Sequence, residues 1–333
     1  MKRTLLFICT LLCANVLFAQ EQLAVLKHND STRVFYGNSA FEQAYTAATH
    51  GDIITLSDGI FSTPNVINKA ITVRGNGACV DTARRSTGTY FMEGFYVENL
   101  GDSLEFKAEG IYFDVFNAIR SYDIELTRCY VGRTYQNGSS YGGLQATNCV
   151  IMGGLYYSNY TPFDGSNAHQ NIYINCILKT DNPTHFPNYA ICSNCIMIGR
   201  EASGSNYQYN NCVIIKTYIS SNDYILNGAV NNSVLIGFTG SNNPASSGNV
   251  AMSVSDVFEN WDGSTLSSDL ETYVLKSSVS DSIQSIDGSE VGIFGGFMPF
   301  DWRPSYSIIK RFNVANRTTA DGKLSVDIEV ISE

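Results

Sequence analysis

The sequence predicts an all-β fold, a right-handed parallel β-helix, on three observations: a unit recurring about every twenty residues, the β-forming residues within it, and an asparagine at one fixed place in it. The unit reads Asn148-Cys149-Val150-Ile151, Asn175-Cys176-Ile177-Leu178, Asn194-Cys195-Ile196-Met197, Asn211-Cys212-Val213-Ile214 and Asn232-Ser233-Val234-Leu235. An earlier copy, Arg128-Cys129-Tyr130-Val131, keeps the cysteine and loses the asparagine. From Cys129 to Ser233 the intervals are 20, 27, 19, 17 and 21 residues. Such a period means stacked coils whose loops vary in length while each coil buries its apolar face against its neighbours. Matching Gly110 of Glu109-Gly110-Ile111-Tyr112 to Cys129 extends the ladder backward by 19 residues, with Lys69-Ala70-Ile71-Thr72 expected two turns earlier.

Helical repeats are excluded by residue type. Twenty residues rich in Asn, Gly and Tyr cannot supply two amphipathic helices, whereas Ile172-Tyr173-Ile174 before Asn175, and Cys176-Ile177-Leu178 after it, suit short strands on either side of a bend. Asparagine tolerates the left-handed backbone a sharp bend needs. A column of asparagines at about 4.8 Å per coil could bond side chain to side chain along the axis. Cysteine acts in this pattern as a small apolar residue packed just after the bend. The repeat cysteines are therefore expected inside the coil and mostly reduced.

Four segments follow. Residues 1–19 read as a secretory signal peptide: Lys2 and Arg3 precede the apolar run Thr4 to Phe18, and Ala19 offers a small residue for cleavage. No later stretch is long and apolar enough to suggest a transmembrane segment. Residues 20–50 hold an N-terminal segment in which Ser39 and Glu42 form a capping box for a short helix with Phe41, Ala44, Tyr45 and Ala48 on one face, a plausible lid for the first coil. Residues 51–262 carry the coils. Residues 263–333 close the fold, with Lys323 to Ile331 alternating like a half-buried strand suited to covering the exit.

Composition narrows the partners. With 21 Lys and Arg against 31 Asp and Glu, the net charge of −10 argues against nucleic acid or an anionic membrane, both of which need a basic surface. Nine cysteines fall to seven once Cys9 and Cys13 leave with the leader, an odd number that does not suit a disulfide framework.

The segment Ala44 to Gly77 resembles the opening of pectate-lyase-like right-handed β-helix proteins. The resemblance lies in Gly51-Asp52-Ile53-Ile54-Thr55-Leu56, Asp58-Gly59-Ile60-Phe61 and Ala70-Ile71-Thr72-Val73-Arg74-Gly75-Asn76-Gly77. The stretch Ser277 to Gly296, ending Val291-Gly292-Ile293-Phe294-Gly295-Gly296, is similar to the close of many secreted Bacteroidetes β-helix proteins. The resemblance covers roughly residues 40 to 300 and implies the fold more sharply than an activity, because this fold hosts lyases, hydrolases, epimerases, adhesins and scaffolds. It implies chemistry on one sheet face, with clustered aspartates holding calcium and an Arg or Lys base in the lyases, or an Asn-Thr-Asp stretch and an Asp-Asp pair in polygalacturonases. Neither of the latter two occurs here, and Asp114, Asp123, Asp164, Asp181 and Asp223 are scattered.

No catalytic residue, metal ligand or cofactor is assigned. Cys192-Ser193-Asn194-Cys195 has redox or zinc spacing, but the repeat already accounts for Asn194 and Cys195, and no second ligand pair accompanies it. His28, His50, His169 and His185 show no metal-ligand spacing. The candidate ligand-binding residues are Tyr156, Tyr157, Tyr160, Asp164 and His169, in the long interval between Cys149 and Cys176, since tyrosine offers a sugar a flat face and a polar tip. Core filling by the same tyrosines is the competing interpretation. Two functions stand: binding of extracellular polysaccharide or cell-surface glycan (or plain scaffolding), and polysaccharide cleavage by an unfamiliar site. A cluster of acids and bases over one sheet favours cleavage; a Tyr, Asn, Ser and Thr surface favours binding.

Overall fold

The computed structural model describes residues 22–81, 86–98, 100, 104–119, 123–134, 143–152, 171–179, 190–199, 207–216, 229–238, 248–261, 270–303, 308–314 and 326–331. The chain winds into a parallel β-solenoid with two long sheets, one of eleven strands and one of ten. Each coil runs from a first-sheet strand through a two-residue corner into a second-sheet strand, as in Asn171–Ile174, then Asn175 and Cys176, then Ile177–Lys179. Coils stack in register, Ile172 level with Ile191 in the first sheet and Ile177 with Ile196 in the second.

Chemistry at the corner explains the repeat. Asn148, Asn175, Asn194, Asn211 and Asn232 have φ between 45° and 57°, and Arg128 takes the same conformation at 53°. The cysteine that follows points inward and is fully buried in each coil. Cys176 Sγ donates to Ile174 O (3.2 Å) two residues back and to Ala146 O (3.3 Å) in the preceding coil. Cys129, Cys149, Cys195 and Cys212 repeat this pair of bonds. Ser233 completes the column by donating to Asn231 O at 2.8 Å while accepting from Cys212 N at 3.0 Å. The position selects a small buried donor that answers a corner carbonyl. Among the described residues all seven cysteines are free thiols, and burial pushes those of Cys129, Cys176 and Cys195 up.

Upstream, the register corrects the sequence alignment by one place. Tyr112 pairs with Tyr130, so Gly110 (φ 64°) stands at the bend and Ile111 takes the cysteine's place. One coil earlier Arg74 pairs with Glu109, which sets Gly75 at the bend and leaves Lys69 to Thr72 ahead of it. The core here is aromatic: Phe91, Phe95, Phe106, Phe113 and Phe116 are buried, with ring centroids 4.9 to 6.4 Å apart.

The N-terminal segment adds strands that the sequence did not reveal. Leu23–His28 and Ser31–Tyr36 form a hairpin that joins the first sheet antiparallel to Ile53–Leu56. The helix Ala40–Ala47 buries Phe41, Ala44 and Tyr45, and Phe41 lies 4.9 Å from the Phe91 ring. The expected capping box does not form. Ser39 sits at φ −87°, ψ 8°, outside the extended conformation an N-cap needs, and its Oγ accepts from Gln43 Nε2 at 2.9 Å instead of a backbone N–H.

Beyond Met252 the chain turns back along the outside of the solenoid. Ile177, Ile196, Ile198, Val213, Ile215, Val234 and Ile236 face outward from the second sheet yet are buried. They form one cluster with Val257, Phe258, Trp261, Tyr273, Leu275, Val279, Ile283, Val291, Ile293 and Phe300. Along the corner the same segment replaces the expected asparagine ladder. Asn175 Nδ2 donates to Ile293 O and Gly295 O, both at 2.8 Å, and Asn148 Nδ2 to Pro299 O at 3.4 Å. Asn194 Nδ2 reaches Glu290 O at 3.4 Å, Asn211 O accepts from Gly292 N at 2.8 Å, and Arg128 Nε donates to Asp301 O at 3.1 Å. Among the described residues, direct amide contact between corner asparagines is that of Asn211 Nδ2 with Asn194 Oδ1 at 3.5 Å, and one residue before the corner Asn231 Nδ2 donates to Asn210 Oδ1 at 3.1 Å. The Gly-Ile-Phe-Gly-Gly run now has a reason: a Cβ on Gly295 would overlap Glu290 O and lie 2.7 Å from Asn194 Nδ2. The strand Val326–Ile331 pairs antiparallel with Ile308–Val314 in a separate two-stranded sheet, and with no coil strand among the described residues.

Candidate functional site

Tyr156, Tyr157, Tyr160, Asp164 and His169 lie outside the described residues, as do Asp181 and Asp223. The described surface holds a different candidate. Because coils stack in register, one outward position of the second sheet reads Ile60, Tyr90, Tyr112, Tyr130, Val150, Ile177, Ile196, Val213, Val234 and Val250 in consecutive coils. The column divides in two. From Val150 onward it is aliphatic and belongs to the cluster roofed by the C-terminal segment. Before Val150 it runs from Ile60 to three tyrosines and retains solvent access: Ile60 is 56% exposed, and Tyr90, Tyr112 and Tyr130 are half-buried.

Stacking fixes how these tyrosines meet solvent. Tyr112 and Tyr130 lie 4.9 Å apart with planes at 12°, so their faces are spent on each other and their edges turn outward. Tyr90 is tilted at 47° to Tyr112, 5.3 Å away. Burial pushes the phenols of Tyr90 and Tyr112 up, with neighbouring Cys79 and Asp58 adding to Tyr90 and Asp114 adding to Tyr112. Both hydroxyls are therefore neutral near pH 7, able to donate as well as accept.

Polar groups frame the column. Asp114, the second residue after Tyr112, pairs with Arg133 at 2.8 Å. Gly132 is level with Asp114, and a Cβ there would come within 2.8 Å of Asp114 O, which explains the glycine. On the N-terminal side Asp58 accepts from Asn76 Nδ2 (2.8 Å), Ser86 Oγ (2.8 Å), Thr87 N (3.0 Å) and Gly88 N (3.2 Å), which fixes the loop beside Tyr90. Met92, 49% exposed, lies in the bulge between Phe91 and Gly94.

The first sheet carries the other chemically rich face. Lys107 bridges Glu105 (2.9 Å) and Glu125 (2.7 Å), and Arg128 meets Glu109 at 3.2 Å. Hydrogen bonds donated to Glu125 and then to Glu105 raise the Lys107 pKa, which holds the amine charged and unsuited to a base. Among the described residues no group of three or more His, Cys, Asp or Glu is arranged to hold a metal ion. Near the N-terminal hairpin His28 Nδ1 meets Asp52 Oδ1 at 2.8 Å, while Thr49 N–H donates to Asp52 Oδ2 at 2.7 Å. That pair ties the hairpin to the first coil.

The tyrosine column had a sequence signal: each tyrosine follows the cysteine position or its equivalent (Cys129-Tyr130, Ile111-Tyr112), where later coils place Val or Ile. No helix of the described residues is long and apolar enough to cross a membrane. Compared with protein-family models, curated proteins and solved structures, the chain matches none.

Proposed function

We propose that this chain is an exported, non-catalytic glycan-binding solenoid that engages extracellular polysaccharide or cell-surface glycan along Tyr90, Tyr112 and Tyr130. One observation carries the reading. The chain roofs the second sheet's aliphatic outer column with its own C-terminal segment, whereas Tyr90, Tyr112 and Tyr130 stand outside that cluster and keep partial solvent access. Tyrosine is apolar along its ring and polar at its tip, which suits the alternating C–H and O–H surface of a sugar. Tyr156, Tyr157, Tyr160, Asp164 and His169, proposed from the sequence as further glycan contacts, follow Met152 in the chain, whose strand pairs with that of Tyr130. A pectate-lyase-like scaffold, and export through the N-terminal leader, are parts of the same proposal.

A glycan array followed by titration calorimetry tests it. Tyr112→Ala is expected to weaken binding by about 1–1.5 kcal/mol, the scale of one aromatic contact. Unchanged affinity in a variant that keeps its far-ultraviolet circular dichroism would sink the reading. The row of Glu105, Lys107, Glu109, Glu125 and Arg128 favours a second reading, polysaccharide cleavage over the first sheet. In that row Glu105 and Glu125 pair with Lys107, and Glu109 with Arg128. Polygalacturonate incubated with the protein and calcium is expected to give no rise in unsaturated-product absorbance. A rise abolished by chelator would move the function to that face.

A further inference from the structure

Resting on the glycan-binding reading, we infer that the tyrosine column is selective for an uncharged oligosaccharide of about four units, laid along the solenoid axis. Charge supplies the first argument. An acidic sugar is held by cations free to meet its carboxylates, usually arginine in a bidentate geometry. Among the described residues framing the column, the cation is Arg133, and its guanidinium is engaged by Asp114 at 2.8 Å. A uronate placed over Tyr90 or Tyr112 would instead meet Asp58 and Asp114, in a chain whose net charge is already −10. An uncharged sugar meets no such repulsion, and the phenol and carboxylate oxygens accept its hydroxyl protons.

Length supplies the second argument. Ile60, Tyr90, Tyr112 and Tyr130 occupy four successive rungs. Rungs repeat about every 4.8 Å, close to the advance of an extended β-linked chain per sugar. At the fifth rung Val150 joins the roofed cluster, so the C-terminal segment closes the track on that side. Because the rings of Tyr112 and Tyr130 stack on each other, the ligand meets a row of ring edges and hydroxyls, with the open Ile60 side chain at the far end.

The experiment titrates the full chain with β-linked gluco-, xylo- and manno-oligosaccharides from disaccharide to hexasaccharide, and with oligogalacturonates of the same lengths. The expected result is binding within the uncharged set, with affinity rising up to about four units and then levelling, and little dependence on salt. Tyr112→Ala is expected to weaken it about tenfold, and Tyr112→Phe, which keeps the stack, by a smaller factor. The Phe variant carries the test if the Ala variant fails to fold. Tighter binding of oligogalacturonate that still depends on Tyr112 would overturn the selectivity while leaving the glycan-binding reading intact. Tyr112-dependent binding of a disaccharide as tight as a hexasaccharide would overturn the four-rung track. Binding of neither set, or binding indifferent to both Tyr112 variants, would overturn the glycan-binding reading itself.

Discussion

Replacing Asn175 separates the two reasons an asparagine could occupy the corner. Its backbone is left-handed at φ 49°, and its side chain, buried to 1% exposure, donates to Ile293 O and Gly295 O at 2.8 Å each. In Asn175→Ala the two buried bonds are worth about 1 kcal/mol each, and the Gly295 carbonyl left without this donor adds about 1 kcal/mol. Ile293 O fares better, because it also accepts from Phe300 N at 2.7 Å. Holding alanine in the left-handed conformation adds about 1 kcal/mol, for a total of about 3–4 kcal/mol. Asn175→Gly removes the same bonds without the strain, so it too is expected to lose about 2–3 kcal/mol. Urea unfolding followed by fluorescence and circular dichroism measures both, and hydrogen exchange across residues 290–296 reports release of the C-terminal segment. A nearly neutral Asn175→Gly beside a costly Asn175→Ala would refute the reasoning, because conformation alone would then explain the column.

Three further outcomes are expected. Thiol titration of the denatured, unreduced protein finds several free groups, whereas a single one would mean that the ladder is cross-linked; in the native state Cys79 reacts slowly, its thiol pushed up to about 12 by burial. Cys176→Ser costs less in urea stability than Cys176→Ala, since Ser233 already makes the bond to the carbonyl two residues back with a hydroxyl; the reverse order would show that volume outweighs the donor. Burial alone would raise the Asp52 carboxyl, but Thr49 N–H and His28 outweigh it and hold the pKa below its ordinary value. The folded pKa is thus the lower one, so this stabilisation is complete above the unfolded value of about 3.9 and fades as pH falls through the folded value. Asp52→Asn should flatten the acid limb of the stability curve, and an unchanged limb would remove His28 and Thr49 from that role.

The coils were legible because two strict demands recur at one place: a residue that tolerates positive φ, and a small buried donor after it. Asn148-Cys149 to Asn232-Ser233 state both demands openly. The Gly110-Ile111 corner states them in other letters, glycine for conformation and isoleucine for filling, so matching Gly110 to Cys129 slipped by one. The roof was missed because residues 254–300 follow no period; those described, 254–261 and 270–300, bind through irregularly placed side chains and backbone carbonyls. Its trace lay instead in the strands beneath. Ile196–Gly199 and Val213–Lys216 are buried at every position, and a strand apolar on both faces requires cover on both. The tyrosine column was written in the sequence too, but only the pairing register shows that Tyr90, Tyr112 and Tyr130 stand on one line.

The return of the chain's end onto its middle alters how the molecule must be built. In a simple solenoid each coil is complete once its neighbour forms, and assembly can spread from any point. Here Arg128 waits for Asp301, 173 residues later, and Asn175 for residues 118 and 120 positions on. As the chain is synthesised, Ile177, Ile196, Val213 and Val234 stay bare until residues 254–300 have emerged, a long interval in which a flat aliphatic strip can pair with another chain. The final contact locks coils that would otherwise open one at a time. The seam therefore couples the coils from Arg128 onward to one another, at the cost of a vulnerable adolescence.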